Sequence, residues 1–221
     1  MSAAPWSFSK LKAFETCPKQ FYHVNVLKEF PFKETEAMRY GTEFHKAAED
    51  FMRDDIPIPE KFSFATKLLH SLKAKPGDKV CEQKLGVTEN LEACSFFDDG
   101  VWFRGIADLI ILDGTRAWVV DYKTGRSSRY ADTGQLELMA LAVFAHYPQV
   151  EKVNAGLLFV IANDLVKEKY EAFNKAELWR KWLGKHGMLK RAFETGVWNP
   201  KPSGLCRRHC PVQECAHNGA N

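Results

Sequence analysis

The chain has 221 residues, 45% of them hydrophobic and 27% charged, a globular balance that excludes a disordered chain, a collagen-like rod and a coiled coil. Its 31 basic and 28 acidic residues leave a net charge of +3, too small to announce a nucleic-acid binder and too small to exclude one, because local patches decide binding. No apolar run reaches the roughly 18 residues that a membrane span needs, and the opening Met1-Ser2-Ala3-Ala4-Pro5-Trp6 lacks a basic segment followed by an apolar one, so the expectation is a soluble, cytoplasmic protein without membrane contact.

In chain order, residues 8–26 read as helical, with Phe8, Leu11, Phe14, Phe21 and Tyr22 apolar and a stop or kink near Cys17-Pro18. Residues 36–54 read as a second helix, ended by Pro57 and Pro59, and 61–74 as a third and weaker one. A β-rich block follows: 79–88, then 92–97 and 101–112 around the turn Asp98-Asp99-Gly100, then 116–122. After the polar loop Lys123–Ser128, residues 131–146 predict an amphipathic helix with Leu136, Met139, Ala140 and Val143 on one face. Residues 153–162 and 165–173 read as paired strands, 174–195 as a long basic helix, and Trp198 onward as an irregular tail rich in Pro, Gly and Cys. Helices, a meander and a helix–strand return together give an α+β fold with a mixed β-sheet flanked by helices.

Two acids stand out within the strands. Asp108 precedes three apolar residues inside a strand, where an unpartnered carboxylate is costly. Asp121 ends the next strand in Val119-Val120-Asp121-Tyr122-Lys123, and strand alternation puts Asp121 and Lys123 on one face with Tyr122 on the other. If the neighbouring strands present both acids on that face, their repulsion is resolved by a divalent cation. Hard oxygen ligands suit Mg²⁺ or Mn²⁺, which activate water and neutralise charge at a phosphate. Lys123 would orient or deprotonate that water, or stabilise developing charge. The plainer alternative is an ion-paired Asp108 with Asp121 and Lys123 as strand-end residues.

The order Gly105-x-x-Asp108, Asp121-Tyr122-Lys123-Thr124, Gln135-Leu136-x-x-Met139-Ala140 resembles the PD-(D/E)XK nuclease superfamily. Within it, the chain is similar to the RecB-like exonuclease branch, which includes CRISPR-adaptation and phage exonucleases. Gly41-Thr42-Glu43-Phe44-His45 matches the branch's upstream Gly-x-x-x-His motif, and Ser7-x-Ser9-x-Leu11 with Cys17-Pro18-x-x-Phe21 matches its opening helix. The resemblance spans residues 6 to 217. It implies a restriction-endonuclease-like core and a metal held by His45, Asp108, Asp121 and the backbone carbonyl of Tyr122. Asp108, Asp121, Lys123 and Gln135 would be the catalytic set, with Gln135 near substrate or Lys123. Met139 stands where the family often has tyrosine. Glu49, four residues after His45, would orient that histidine, bind metal or be a solvated carboxylate; Glu82 would reach a second metal through water or be structural.

Six cysteines are present, three of them in Cys206-x3-Cys210-x4-Cys215, a spacing that favours a metal over disulfides in a reducing compartment. The family often joins such a trio to one N-terminal cysteine around an iron–sulfur cluster, and Cys17 matches that fourth position. The resemblance thus implies a [4Fe-4S] cluster on Cys17, Cys206, Cys210 and Cys215, tying the chain ends across 188 intervening residues. His209 occupies the position where the family's Cys-x2-Cys opening has its second cysteine, so zinc with His209 or His217, or no metal, are the alternatives.

The expected organisation is one nuclease domain over 1–221: a core of about 36–195, an N-terminal helix 6–26 and a cysteine-rich tail 198–221 that together form a metal-cluster cap. The expected partner is DNA, single-stranded or with free ends. Arg126, Arg129 and Gln135 would contact it, with further cations at Lys181, Lys185, Lys190, Arg191, Arg207 and Arg208. Trp6, Trp179, Trp182 and Trp198 would either stack on unpaired bases or fill the core. The function implied is a metal-dependent deoxyribonuclease, a phosphodiester hydrolase acting on single-stranded ends in DNA recombination, repair or phage DNA processing, in a prokaryotic or phage-infected cell, with any recombination or helicase partner unnamed. The alternative is a non-catalytic DNA-binding or scaffold module of a nuclease–helicase complex.

Overall fold

A computed structural model describes residues 5–219. The chain divides into two compact units: 34–179, and 5–33 with 180–219. Among the described residues, no helix is long and apolar enough to cross a membrane.

The larger unit is built on a six-stranded sheet of β1 (Asp78–Thr88), β2 (Ala93–Cys94), β3 (Val101–Asp113), β4 (Arg116–Lys123), β5 (Lys152–Phe159) and β6 (Asp164–Glu171), in the order β2-β1-β3-β4-β5-β6. Only the β4–β5 pair is parallel, so the sheet is mixed and the fold α+β, as the pattern predicts. α1 (Phe8–Thr16) and α2 (Pro18–Phe21) precede α3 (Glu36–Asp54) and α4 (Thr66–Lys73); α5 (Gly134–His146) makes the β4–β5 crossover, and α6 (Lys175–Thr195) follows β6. The helix expected at 61–74 is split into a 3₁₀ segment, Glu60–Ala65, and α4. The strand expected at 92–97 is reduced to the two residues of β2.

α3 starts where Thr35 accepts a hydrogen bond from the Met38 N–H and ends at Asp55 in the left-handed region. Its apolar stripe (Phe44, Ala48, Phe51, Met52) packs with Phe62, Leu69 and Leu72 on a sheet face made by Cys81, Leu109, Ile111, Val120 and Tyr122. α5 is not amphipathic. Leu136 and every residue from Leu138 to Phe144 are buried, because an enclosed helix must be apolar all round.

The β1–β3 ladder has one interruption that matters. Cys81 pairs with Leu109 and Gln83 with Ala107, but Glu82 and Asp108 are left out. Glu82 has a φ of 50°, and the side-chain alternation inverts there. Leu109 and Ile111 face α3, whereas a Cβ on Gly105 would stand 2.2 Å from Cε of Met139, so Gly105 faces α5. Arg104 and Ile106 therefore lie on the sheet face opposite α5.

In the smaller unit, α1 and α2 are joined at Cys17-Pro18, the predicted break, and a π-helical turn, Tyr22–Val26, follows. Trp198 is surrounded by rings, with centroids of Phe193 and Tyr22 each 5.0 Å away and those of Phe21 and Phe14 at 6.1 and 6.2 Å. Trp6 stacks on His186 at 5.3 Å. Trp6, Trp182 and, in the larger unit, Trp179 are all at most 3% exposed. Stacking on substrate bases is thereby excluded for these three, and the core alternative holds for them.

Gly86 lies in β1 where chain 94–95 passes close: a Cβ there would stand 2.7 Å from the Ser95 carbonyl oxygen and 2.9 Å from that of Cys94. Both neighbours are backbone and cannot rotate away. Gly86→Ala is expected to cost about 1–3 kcal/mol, seen as a lower urea midpoint at unchanged slope; an unchanged midpoint would show that the segment yields freely.

Candidate functional site

His45 comes from the middle of α3, Glu82 and Asp108 from the ladder interruption, Asp121 and Lys123 from the end of β4, and Gln135 from the first turn of α5. The β3–β4 ladder begins at Leu109↔Val120, so Asp108 and Asp121 stand next in register where the strands have parted. Asp108 replaces the missing ladder contact: its Oδ2 accepts the Tyr122 N–H at 2.7 Å.

Nδ1 of His45 lies 3.3 Å from Oδ1 of Asp108 and 4.0 Å from Oε1 of Glu82. Its Nε2–H donates to the Tyr122 carbonyl at 3.1 Å, which fixes the ring and aims Nδ1 at the two acids, as an outer hydrogen bond does for a ligating histidine. One donor atom from each of His45, Glu82 and Asp108 lies within 4.8 Å of the other two. An imidazole and two carboxylates within this reach suit a divalent metal of the Mg²⁺/Mn²⁺ type.

Asp121 sits beside this group in a second arrangement. Lys123 Nζ is 2.6 Å from Asp121 Oδ2 and donates to Gln135 Oε1 at 3.0 Å. Gln135 closes the ring by donating through Nε2 to Asp121 Oδ1. Strand parity places Asp121 and Lys123 together as expected, while Tyr122 turns into the core against Phe44 at 5.8 Å. Glu49 is taken up by Arg53 at 2.6 Å and by Lys46 at 3.7 Å, not by His45. Arg126 and Arg129 are exposed on the loop after β4, with the Arg129 guanidinium 5.3 Å from the Tyr130 ring.

Burial and like charge act together on the acids. Asp121 is pushed up to about 6, first by desolvation and then by Asp108, against the pull of Lys123 and His45. Glu82 is raised by desolvation and by Asp108. Desolvation lowers His45, but its hydrogen bond to Asp108 and the charges of Asp108, Asp121 and Glu82 outweigh this and hold it above its ordinary value. Glu82 is the residue that sequence reasoning underplayed. Its place opposite Asp108 is legible only once the β1–β3 register is known.

In the smaller unit, Cys17, Cys206, Cys210 and Cys215 all line one cavity, with His217 and Asn218 in the same wall. All four are free thiols. Backbone N–H groups of Lys201 and Ser203 approach the sulfurs of Cys17 and Cys206 at 3.4 Å each. Asn218 Nδ2 donates to the carbonyls of Cys210 and Val212, both at 3.0 Å, and holds the tail in place. Among the described residues no three of these sulfurs lie within 4.8 Å of one another.

Comparison with known proteins defines the class. The sequence model of the PD-(D/E)XK nuclease superfamily matches residues 5–78 and 64–215. The chain belongs to this superfamily and is a nuclease with a restriction-endonuclease-like core, in a family whose enzymes use divalent metals. The structure of a candidate exonuclease from Eubacterium rectale is similar in fold, with a TM-score of 0.51 and 13% identity over 91% of this chain and 85% of that one. The structure of SSO0001 aligns with a TM-score of 0.46 and 14% identity over 99% of this chain and 89% of that one. No curated protein matches the sequence.

Because Asp121 titrates near 6 and His45 above its ordinary value, a metal entering here must displace protons in mild acid. Mn²⁺ affinity is expected to fall at least about tenfold between pH 7 and pH 5 and to level off above both groups. Isothermal titration across that range tests this; a flat profile would place the metal elsewhere.

Proposed function

We propose that this nuclease is a metal-dependent deoxyribonuclease that hydrolyses single-stranded DNA from its ends. The observation that carries the reading is the convergence of His45, Glu82 and Asp108 beside the Asp121–Lys123–Gln135 ring. His45, Asp108 and Asp121 would hold the metal, with Glu82 as a further ligand and the Tyr122 carbonyl both restraining His45 and offering a second lone pair. Bound there, a divalent cation supplies Lewis-acid charge at the scissile phosphate and lowers the pKa of water.

The protein's own groups do the rest. Lys123 brings an ammonium to the edge of the site, where it stabilises charge on phosphate oxygens and orients the attacking water. Gln135 contacts both Lys123 and Asp121, so it positions the lysine chain and orients the carboxylate. Arg126 and Arg129 follow directly on the exposed loop and offer phosphate contacts. DNA as substrate follows from the family. The preference for single strands and ends rests on the resemblance to RecB-like exonucleases, as does a role in recombination, repair or phage DNA processing in a cytoplasmic setting.

The smaller unit is read as a cap that carries a [4Fe-4S] cluster on Cys17, Cys206, Cys210 and Cys215. Four free thiols around one cavity and two backbone N–H···S contacts support it. Zinc would draw its thiolates to about 3.8 Å from one another, given Zn–S bonds of about 2.3 Å.

Two outcomes are expected. With Mn²⁺ or Mg²⁺, the protein degrades linear but not circular single-stranded DNA, EDTA abolishes this, and Lys123→Ala lowers the rate by about 10²–10³-fold. A folded protein that binds DNA yet cuts neither substrate would point to the non-catalytic module instead. Anaerobically purified protein carries about four iron and four labile sulfide per chain, and Cys17→Ser loses both; one zinc without iron overturns the cluster.

A further inference from the structure

The face of the sheet that carries Glu82 and Asp108 continues beyond them. Along β1 and β3 it presents Lys84 opposite Ile106, then Gly86 opposite Arg104. α3 covers this face only on the other side of the interruption, so Lys84 is exposed and Ile106 is 41% exposed. Gly86 leaves room for the segment after β2 to cross, and that segment sets Phe96 and Phe97 over the two cations. The rings lie edge to face at 5.1 Å. Lys84 Nζ is 5.3 Å from the Phe97 centroid and 6.0 Å from that of Phe96. The Arg104 guanidinium carbon is 5.2 Å from Phe96 and 5.9 Å from Phe97.

Three features mark this as more than a surface irregularity. Phe97 is 70% exposed, on a turn whose Asp98 is taken up by the Gly100 N–H at 2.7 Å. Among the described residues no carboxylate pairs with Lys84 or Arg104, and the buried Arg104 Nε has no hydrogen-bond partner. The group also lies on one open face with the metal-type cluster: Arg104 is four residues from Asp108 along β3, about 13 Å at strand spacing. Unpaired cations interleaved with accessible rings are what a single strand requires, phosphates on the former and base faces on the latter.

We infer that Phe96, Phe97, Lys84 and Arg104 form a binding platform for unpaired nucleotides of the DNA strand whose scissile phosphate lies at His45, Glu82 and Asp108. This rests on the deoxyribonuclease reading. At a stacked spacing of about 3.4 Å, the platform meets bases up to about four nucleotides from the cleaved bond. The occupant is a single strand because a duplex offers side chains no base face.

The test is fluorescence anisotropy with a labelled oligodeoxythymidylate in EDTA, beside the cleavage assay. Phe97→Ala is expected to weaken binding by about fivefold or more, and Phe97→Trp to restore it. Lys84→Ala should reduce the slope of log affinity against log salt by about 0.7. Both positions are exposed, so thermal unfolding and Mn²⁺ affinity should not move. Wild-type cleavage together with unchanged affinity in Phe97→Ala and Lys84→Ala overturns the platform and leaves the nuclease reading standing. Wild-type protein that neither binds nor cuts DNA overturns both. Tighter binding of oligouridylate than of oligodeoxythymidylate overturns the assignment to DNA.

Discussion

Carboxylates do not gather in a half-buried space without a reason, and at the end of β4 the sheet is distorted to let them. Glu82 and Asp108 drop out of the β1–β3 ladder, and β3 parts from β4 after Leu109↔Val120. The lost backbone contact is made good by Asp108, which takes the Tyr122 N–H. Mutual repulsion and burial then raise Asp121 and Glu82. That strain is relieved only in part, by His45 on one side and Lys123 on the other. Such a site is poised for a cation, because a divalent ion removes the repulsion that the fold has accumulated.

The same distortion explains the layout around the site. Inverting the alternation at Glu82 and Asp108 lets one stretch of strand pack on α3 and the next on α5. The two acids thus lie at the seam between a covered and an open stretch of one face. His45 reaches the seam from α3, and Gln135 reaches the β4 end from α5. His45 and Gln135 thus come to the two acids' strands from helices on opposite sides of the sheet.

The smaller unit works by a different principle. Its core is a cluster of rings around Trp198, and its cysteines face one cavity though they come from opposite ends of the chain. A group bound there would act as a cross-link, removing loop entropy much as a long-range covalent bridge does.

Much of this was legible in the residues. Alternation alone put Asp121 and Lys123 on one face and Tyr122 on the other, and helix periodicity set the bounds of α3. Chemistry singled out Asp108, since an acid before three apolar strand residues must find a partner. Cysteine spacing pointed to a metal at Cys206, Cys210 and Cys215, and the family resemblance added Cys17. What sequence could not supply was register. Glu82 became part of the site because β1 lies antiparallel to β3 with that residue opposite Asp108 and at positive φ, and no local pattern encodes which residues of two strands face each other. The amphipathic reading of α5 failed for a related reason: whether a helix is enclosed depends on what surrounds it. Phe96 and Phe97 read as the end of a strand over 92–97, but that strand stops at Cys94 and Gly86 lets their segment cross the face of Lys84 and Arg104. Local chemistry and periodicity are properties of a segment, whereas proximity between segments is decided only when the sheet is assembled.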